Sequence, residues 1–207
     1  MADQIFPTKG NLMAAKRSLA LAKLGYDLMD RKRNVLIREL MQLVGRAKEL
    51  RGSIEETYRI AYSALQEANI TLGVVEQFAQ TVPVDNDIHI QTRTVMGVEI
   101  PMITHADHTD LLIPYGFLDT NVQLDQAYAA FCRVRDMTLM LAEVDTGVYR
   151  LATAIQATQR RANALKNVLI PRYTQIIKTI SDALEDKERE EFTRMKMIKA
   201  QKRSDSA

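Results

Sequence analysis

One apolar stripe runs through the first third of the chain without losing phase, and few folds can use a stripe so long. Starting at Leu12 and stepping alternately three and four residues, twenty positions lead to Phe78. Seventeen of them are apolar, the exceptions being Arg33, Thr57 and Thr71. Three or four heptads are enough to argue a coiled coil, and this seam holds more than nine. A helix carrying it is about 100 Å long. Such a helix cannot bury its seam alone, so it needs a second helix of comparable length. Pro7 and Pro83 bracket the run as boundary residues. Gly25, Gly45, Gly52 and Gly73 fall inside it, each costing about 1 kcal/mol against Ala in a helix interior. Bending or fraying is expected near Gly45 and Gly52.

A second stripe supplies the partner. Leu124, Ala127, Phe131 and Val134 keep one phase from about Thr120 onward. Met137, Leu141, Val144, Val148, Leu151, Ile155, Thr158, Ala162, Leu165 and Leu169 continue it. The two three-residue steps at 131, 134 and 137 read as a stammer, which overwinds a coiled coil locally. Beyond Pro171 the stripe resumes at Ile176, Ile180 and Leu184, then at Phe192, Met195 and Ile198.

Residues 80–119 break the pattern. They hold three of the five prolines and alternate with period two, with Ile88, Ile90, Thr92 and Thr94 on one face. Val98, Ile100 and Met102 follow Gly97, which can form a turn. A small β-hairpin is expected over 88–103. The fold class is therefore all-α: a long antiparallel two-helix coiled coil with a small β-hairpin insert at or near its closed tip. The expected organisation is 1–80 for the first long helix, 81–119 for the insert, 120–200 for the second helix and 201–207 for a disordered tail. A compact four-helix bundle, broken at Gly45–Gly52 and Pro171, is the competing architecture.

Composition narrows the function. Eight glycines, five prolines and no tryptophan suit long helices with few turns. A net charge of +2 gives no case for nucleic acid or an anionic membrane as the main partner. Cys132 is the only cysteine, which excludes an intramolecular disulfide and fits a reducing compartment. No apolar run reaches the ~18 residues of a membrane span, and the N-terminus lacks a signal-peptide core. A soluble, cytosolic protein is expected. No GxxxxGK[ST] motif is present, so any nucleotide chemistry belongs to other chains. His105 and His108, with Asp107 and Asp110, have metal-like spacing but no further ligand to close a site, so no metal and no cofactor is expected. Cys132 adjoins the seam residue Phe131 and reads as packing. The basic clusters at 31–33 and 194–203 lack interleaved aromatics, and EDKEREE lies upstream of the second. They read as solvated or protein-facing surfaces.

Pro171 removes a backbone donor and crowds the carbonyl of Asn167, so the second helix must kink or restart there. The segment ending on it, RRANALKNVLIP, resembles the C-terminal signature of the D subunit of V-type and archaeal-type rotary ATPases, through Arg160, Arg161, Asn163, Ala164, Leu165, Ile170 and Pro171. Two further stretches resemble the same family. The first is PTKGNLMAAKRSLALAKLGYDLMDRKRNVL, through Pro7, Thr8, Lys9, Leu12, Leu19, Ala22, Gly25, Leu28, Lys32, Arg33 and Leu36. The second is EREEFTRMKMIK, through Glu188, Arg189, Glu190, Phe192, Arg194, Lys196, Ile198 and Lys199.

The resemblance implies a noncatalytic rotor of the central stalk. It would pair with the small F subunit, insert its terminal helices into a head of A and B subunits, and engage a socket subunit above the membrane ring. Rotation would couple ATP hydrolysis or synthesis to H+ or Na+ movement, on a complex peripheral to the membrane, with no nucleic acid and no direct membrane insertion. Lys9, Lys16, Arg33, Arg160, Arg161, Arg194, Lys196 and Lys199 are the expected head contacts, and Pro171 the expected bend. For Arg33, on the seam, the usual explanation is snorkelling, its stem packed and its head in water, and the other is contact with an acidic loop of the head. A coiled-coil scaffold or tether with no motor attached is the alternative function.

Overall fold

The computed structural model describes residues 6–84, 88–105, 113–118 and 120–204. Helix α1 spans Lys9–Leu72 and a short α2 spans Glu76–Ala79. Strands β1 (Ile88–Val95) and β2 (Val98–His105) form a two-stranded antiparallel sheet. Helix α3 spans Val122–Ala164, a π-helical turn occupies Leu165–Leu169, and α4 spans Ile170–Ser204. The chain is thus a long antiparallel coiled coil with a hairpin between its helices, and it divides into two compact units. One holds residues 1–33 and 156–207, the other residues 34–155.

In the unit of residues 34–155, numbers rise along α1 as they fall along α3. Arg51 meets Asp145 at 3.1 Å, Tyr58 meets Thr138 at 3.2 Å, and Thr71 accepts from Asn121 at 2.7 Å. Leu36 and Leu151 are fully buried, and Leu43, Ala47, Ile54, Ala61 and Ala68 share the seam. Each of these α1 residues is a heptad position, because a 3.5-residue repeat keeps one face against the partner. α1 runs unbroken through Gly45 and Gly52, where bending or fraying was expected. The helix stops at Leu72, earlier than the expected residue 80. Gly73 is its terminator and not an interior glycine, with φ at +78° and its N–H donating to the Asn69 carbonyl at 3.0 Å.

The hairpin turns at Met96 and Gly97, both at positive φ (50° and 78°), the geometry of a two-residue primed turn. Val95 therefore pairs with Val98, and Arg93 with Ile100. This register puts Ile88, Ile90, Thr92 and Thr94 on the face opposite Val98, Ile100 and Met102. Of the second set, Val98 and Ile100 lead inward, whereas Met102 is exposed. Ile100 is buried in the coiled-coil core with Leu36, Leu43, Ala47, Val144 and Leu151, and Val95 and Val98 pack against that cluster. The hairpin is thus seated on the flank formed by residues 36–50 and 143–155, not at a tip. Polar contacts hold it there: Glu143 accepts from the Ile103 N–H at 2.7 Å, Arg150 donates to the Glu99 carbonyl at 3.1 Å, and Arg93 pairs with Glu39. Gly147 makes the fit possible. A Cβ there would lie 3.1 Å from both Ile100 Cγ2 and Leu43 Cδ1.

In the other unit, Ala15, Ala22, Thr158, Ala162 and Ile180 are buried along the pairing of α1 with α3 and α4. The pairing closes with Lys9 and Glu188 at 3.1 Å. Every described residue from Glu185 to Lys202 is exposed, so Phe192, Met195 and Ile198 continue the stripe uncovered by the described residues. Helix persists to Ser204, into the segment expected as disordered tail; residues 205–207 lie outside the described ones. At Pro171 the chain stays helical. The Ile170 N–H donates to the Leu165 carbonyl, five residues back, and Ile170 has helical φ and ψ of −62° and −49°. One wider turn thus precedes the proline, which enters the first turn of α4, where a missing donor costs least.

Candidate functional site

The expected contact residues fall in the unit of residues 1–33 and 156–207. Lys16, Arg160 and Arg161 are exposed, while Lys9 is exposed but joined to Glu188. Arg194, Lys196 and Lys199 lie on the bare end of α4. Arg33 differs. Its guanidinium lies 2.6 Å from Asp30 and donates to Gln159 Oε1 at 2.8 Å, and Gln159 in turn donates to Asn163 at 2.9 Å. The seam arginine is thus engaged within the chain, and the motif residue Asn163 ends a polar relay that joins two helices. A polar group at a seam position specifies register at some cost in stability. Lys166 sits 5.7 Å from the Tyr26 ring centroid, within cation–π range.

A further feature has no counterpart in the sequence pattern. In the unit of residues 34–155, an apolar cavity of about 450 Å3 is lined by Leu65, Phe78, Val82, Tyr115, Tyr128 and Phe131, with Cys132 and Arg135 at its wall. Val75 and Phe78, which kept the stripe's phase past the end of α1, line this cavity instead of extending the seam. Tyr115 donates to Asp125 at 2.8 Å and meets Tyr128 edge-on at 5.9 Å. Burial, then the hydrogen bond to Asp125, pushes its hydroxyl pKa well above the ordinary tyrosine value. Cys132 is a free, half-buried cysteine at the wall of this cavity.

Among the described residues no three His, Cys, Asp or Glu side chains converge as metal ligands. Asp107, His108 and Asp110 lie outside the described residues. No helix is long and apolar enough to cross a membrane, among the described residues. At the surface, the hydrogen bond from Arg59 lowers the Glu56 carboxyl pKa. Paired helices with an antiparallel seam and a side-mounted hairpin define a coiled-coil protein with a β insert.

A family model for the D subunit of ATP synthase matches residues 11–200. The chain is 43% identical to the D subunit of a V-type ATP synthase from Thermotoga neapolitana, over 94% of this chain and 97% of that one. It is 36% identical to the D subunit of an A-type ATP synthase from Methanobrevibacter smithii, over 96% and 87%. It is 34% identical to that of Thermococcus kodakarensis, over 94% and 92%. The chain belongs to the ATP synthase D-subunit family, a central-stalk component of V- and A-type rotary ATPases.

Proposed function

We propose that this chain is the noncatalytic shaft of its complex, transmitting torque between an ATP-handling head of A and B subunits and an ion-moving membrane ring. The observation that carries this reading is the seam: a helix of 64 residues paired antiparallel with a second, under family similarity that reaches both ends. A shaft must resist twist, and knobs-into-holes packing along a continuous seam supplies that resistance. Its outer surface must turn without sticking, and charged residues such as Lys16, Arg31, Arg46 and Lys48 are exposed there. Lys9, Lys16, Arg160, Arg161, Arg194, Lys196 and Lys199 face the head; Arg33 positions the helices behind them. The small F subunit and a socket subunit are the further partners. H+ or Na+ is the coupled ion, and the complex is peripheral to the membrane on its cytoplasmic side. The hairpin, seated on the helix pair, offers its outer face to partners.

A bend at Pro171, next to the π turn, would make the inserted end eccentric, so that one shaft presents different faces to three equivalent catalytic interfaces. Copurification tests the shaft. The tagged chain should bring down a Walker-motif head and a small partner, and its deletion should uncouple ATP turnover from ion transport. Isolation from its own cells as a lone species would refute it. Pro171→Ala should lower the ion-transport yield per ATP; unchanged coupling would refute the asymmetry.

A further inference from the structure

The net charge of +2 conceals a division. Residues 34–155 carry 9 basic and 16 acidic residues, a net of −7, whereas residues 1–33 and 156–207 carry 19 and 10, a net of +9. Within the second set two stretches are cleaner still, and the register that sets Arg33 against Gln159, Gly25 against Leu165 and Lys9 against Glu188 places them partly opposite one another. Residues 9–26 hold four basic residues and no acidic one, and residues 156–181 hold five and none. Lys16, Arg17 and Lys23 are exposed on α1, as are Arg160, Arg161 and Lys166 on the opposing helix. Like charges so concentrated repel one another at a cost to the fold, so their placement calls for an external counterpart.

Their angular placement says what kind. At about 100° per residue, Lys16 and Lys23 flank the buried Ala15 and Ala22, and Arg17 lies on the outer side. On the other helix Arg161 flanks Ala162 to one side, Lys166 flanks Leu165 to the other, and Arg160 faces away from the seam. The charges therefore encircle the helix pair. Binding along duplex DNA or on a flat anionic membrane would use one side only.

We infer that residues 9–26 and 156–181 form a basic collar that docks inside an acidic protein sleeve, with an attraction nearly independent of rotational angle. Charges spread around the circumference give a potential without one deep angular minimum, so the collar centres the helix pair without locking it. The proposal rests on the reading that these helices enter the head, and it adds the chemistry of the wall they meet: carboxylates ringing the bore, with no single arginine-specific pocket.

The test measures binding of the full-length chain to the head assembled from its own A and B subunits. Raising NaCl from 50 to 300 mM should weaken the dissociation constant at least about tenfold, as screening of many exposed pairs demands. Lys16→Gln, Lys23→Gln, Arg160→Gln and Arg161→Gln should each weaken it by about two- to fivefold, and by similar factors whichever side they occupy. Helical content by circular dichroism controls for folding. Salt-insensitive binding, or one substitution that dominates while the others are silent, overturns the collar and leaves the shaft standing. Tighter binding to a 20-base-pair DNA duplex or to phosphatidylglycerol vesicles than to the head at 150 mM NaCl overturns the acidic-sleeve assignment. No binding to the head at any salt overturns the shaft itself.

Discussion

Adding one methyl group at Gly147 sets two effects of opposite sign against each other. Gly147 lies within helix α3, where Gly→Ala is worth about 1 kcal/mol of helix propensity. Against that, the new Cβ would stand 3.1 Å from Ile100 Cγ2 and 3.1 Å from Leu43 Cδ1, so both must yield by a few tenths of an ångström. Neither yields easily. Ile100 is 4% exposed, its branched Cβ allows few rotamers, and its strand is tied down through Glu143 and Arg150. Leu43 is 8% exposed in the same cluster. Overpacking of this kind costs about 1–3 kcal/mol. The net expectation is a loss of about 1 kcal/mol, or roughly 2–4 °C in midpoint for a chain of this size. Gly45→Ala and Gly52→Ala are the controls: both residues are helical and a Cβ would meet nothing within 4 Å. Each should gain up to about 1 kcal/mol. Urea and thermal unfolding followed at 222 nm give all three values. In an Ile100→Ala background, Gly147→Ala should lose much of its cost, a coupling a double-mutant cycle reads directly. If Gly147→Ala stabilises as much as Gly45→Ala, the hairpin is not seated through that slot.

Met96 occupies a positive-φ turn position that favours Asn, so Met96→Asn should stabilise the chain by about 0.5–1 kcal/mol in the same unfolding assay; a loss would refute the turn assignment. Arg33→Leu should change stability by less than about 1 kcal/mol, since an apolar seam residue replaces a polar network, yet loosen register. Spin labels at residues 23 and 167 would then show a second distance population, and one unchanged population would count against the network's role. Tyr115 has a raised pKa in the fold, so its protonated form is favoured there. That contribution is complete below the ordinary tyrosine pKa of about 10 and drains away as pH rises above it. Tyr115→Phe should therefore cost about 1 kcal/mol near neutrality and flatten the alkaline fall in stability between pH 10 and 12. An identical alkaline slope in both proteins would exclude Tyr115 as its source.

The seam was legible because its information is local and periodic. Each α1 residue buried in the structure, from Ala15 to Ala68, is a heptad position counted from Leu12. The same holds for Leu124, Val144, Leu151 and Ala162 on the second helix. Gly97 announced its turn for the same reason. Contacts between distant segments left no such trace. Val75 and Phe78 keep the phase of α1 while serving a cavity wall, so periodicity overran the end that Gly73 imposes through φ. The slot at Gly147 has meaning only once Ile100 arrives from 47 residues away. Arg33 offered two readings from sequence; which groups it meets depends on Gln159, reached only when the helices pair. Pro171 signalled a disruption, but whether a helix bends, breaks or widens at a proline depends on what packs beside it, and here a π turn absorbs it.

The meeting of Lys9 with Glu188 has a consequence for synthesis. The opening helical residues of α1 join a stretch that is translated 179 residues later. At about 5–20 residues per second, the opening turns of α1 wait on the order of ten to forty seconds for their mate. Throughout that interval a naked apolar stripe stands open to solvent, an invitation to a chaperone or to a neighbouring nascent chain.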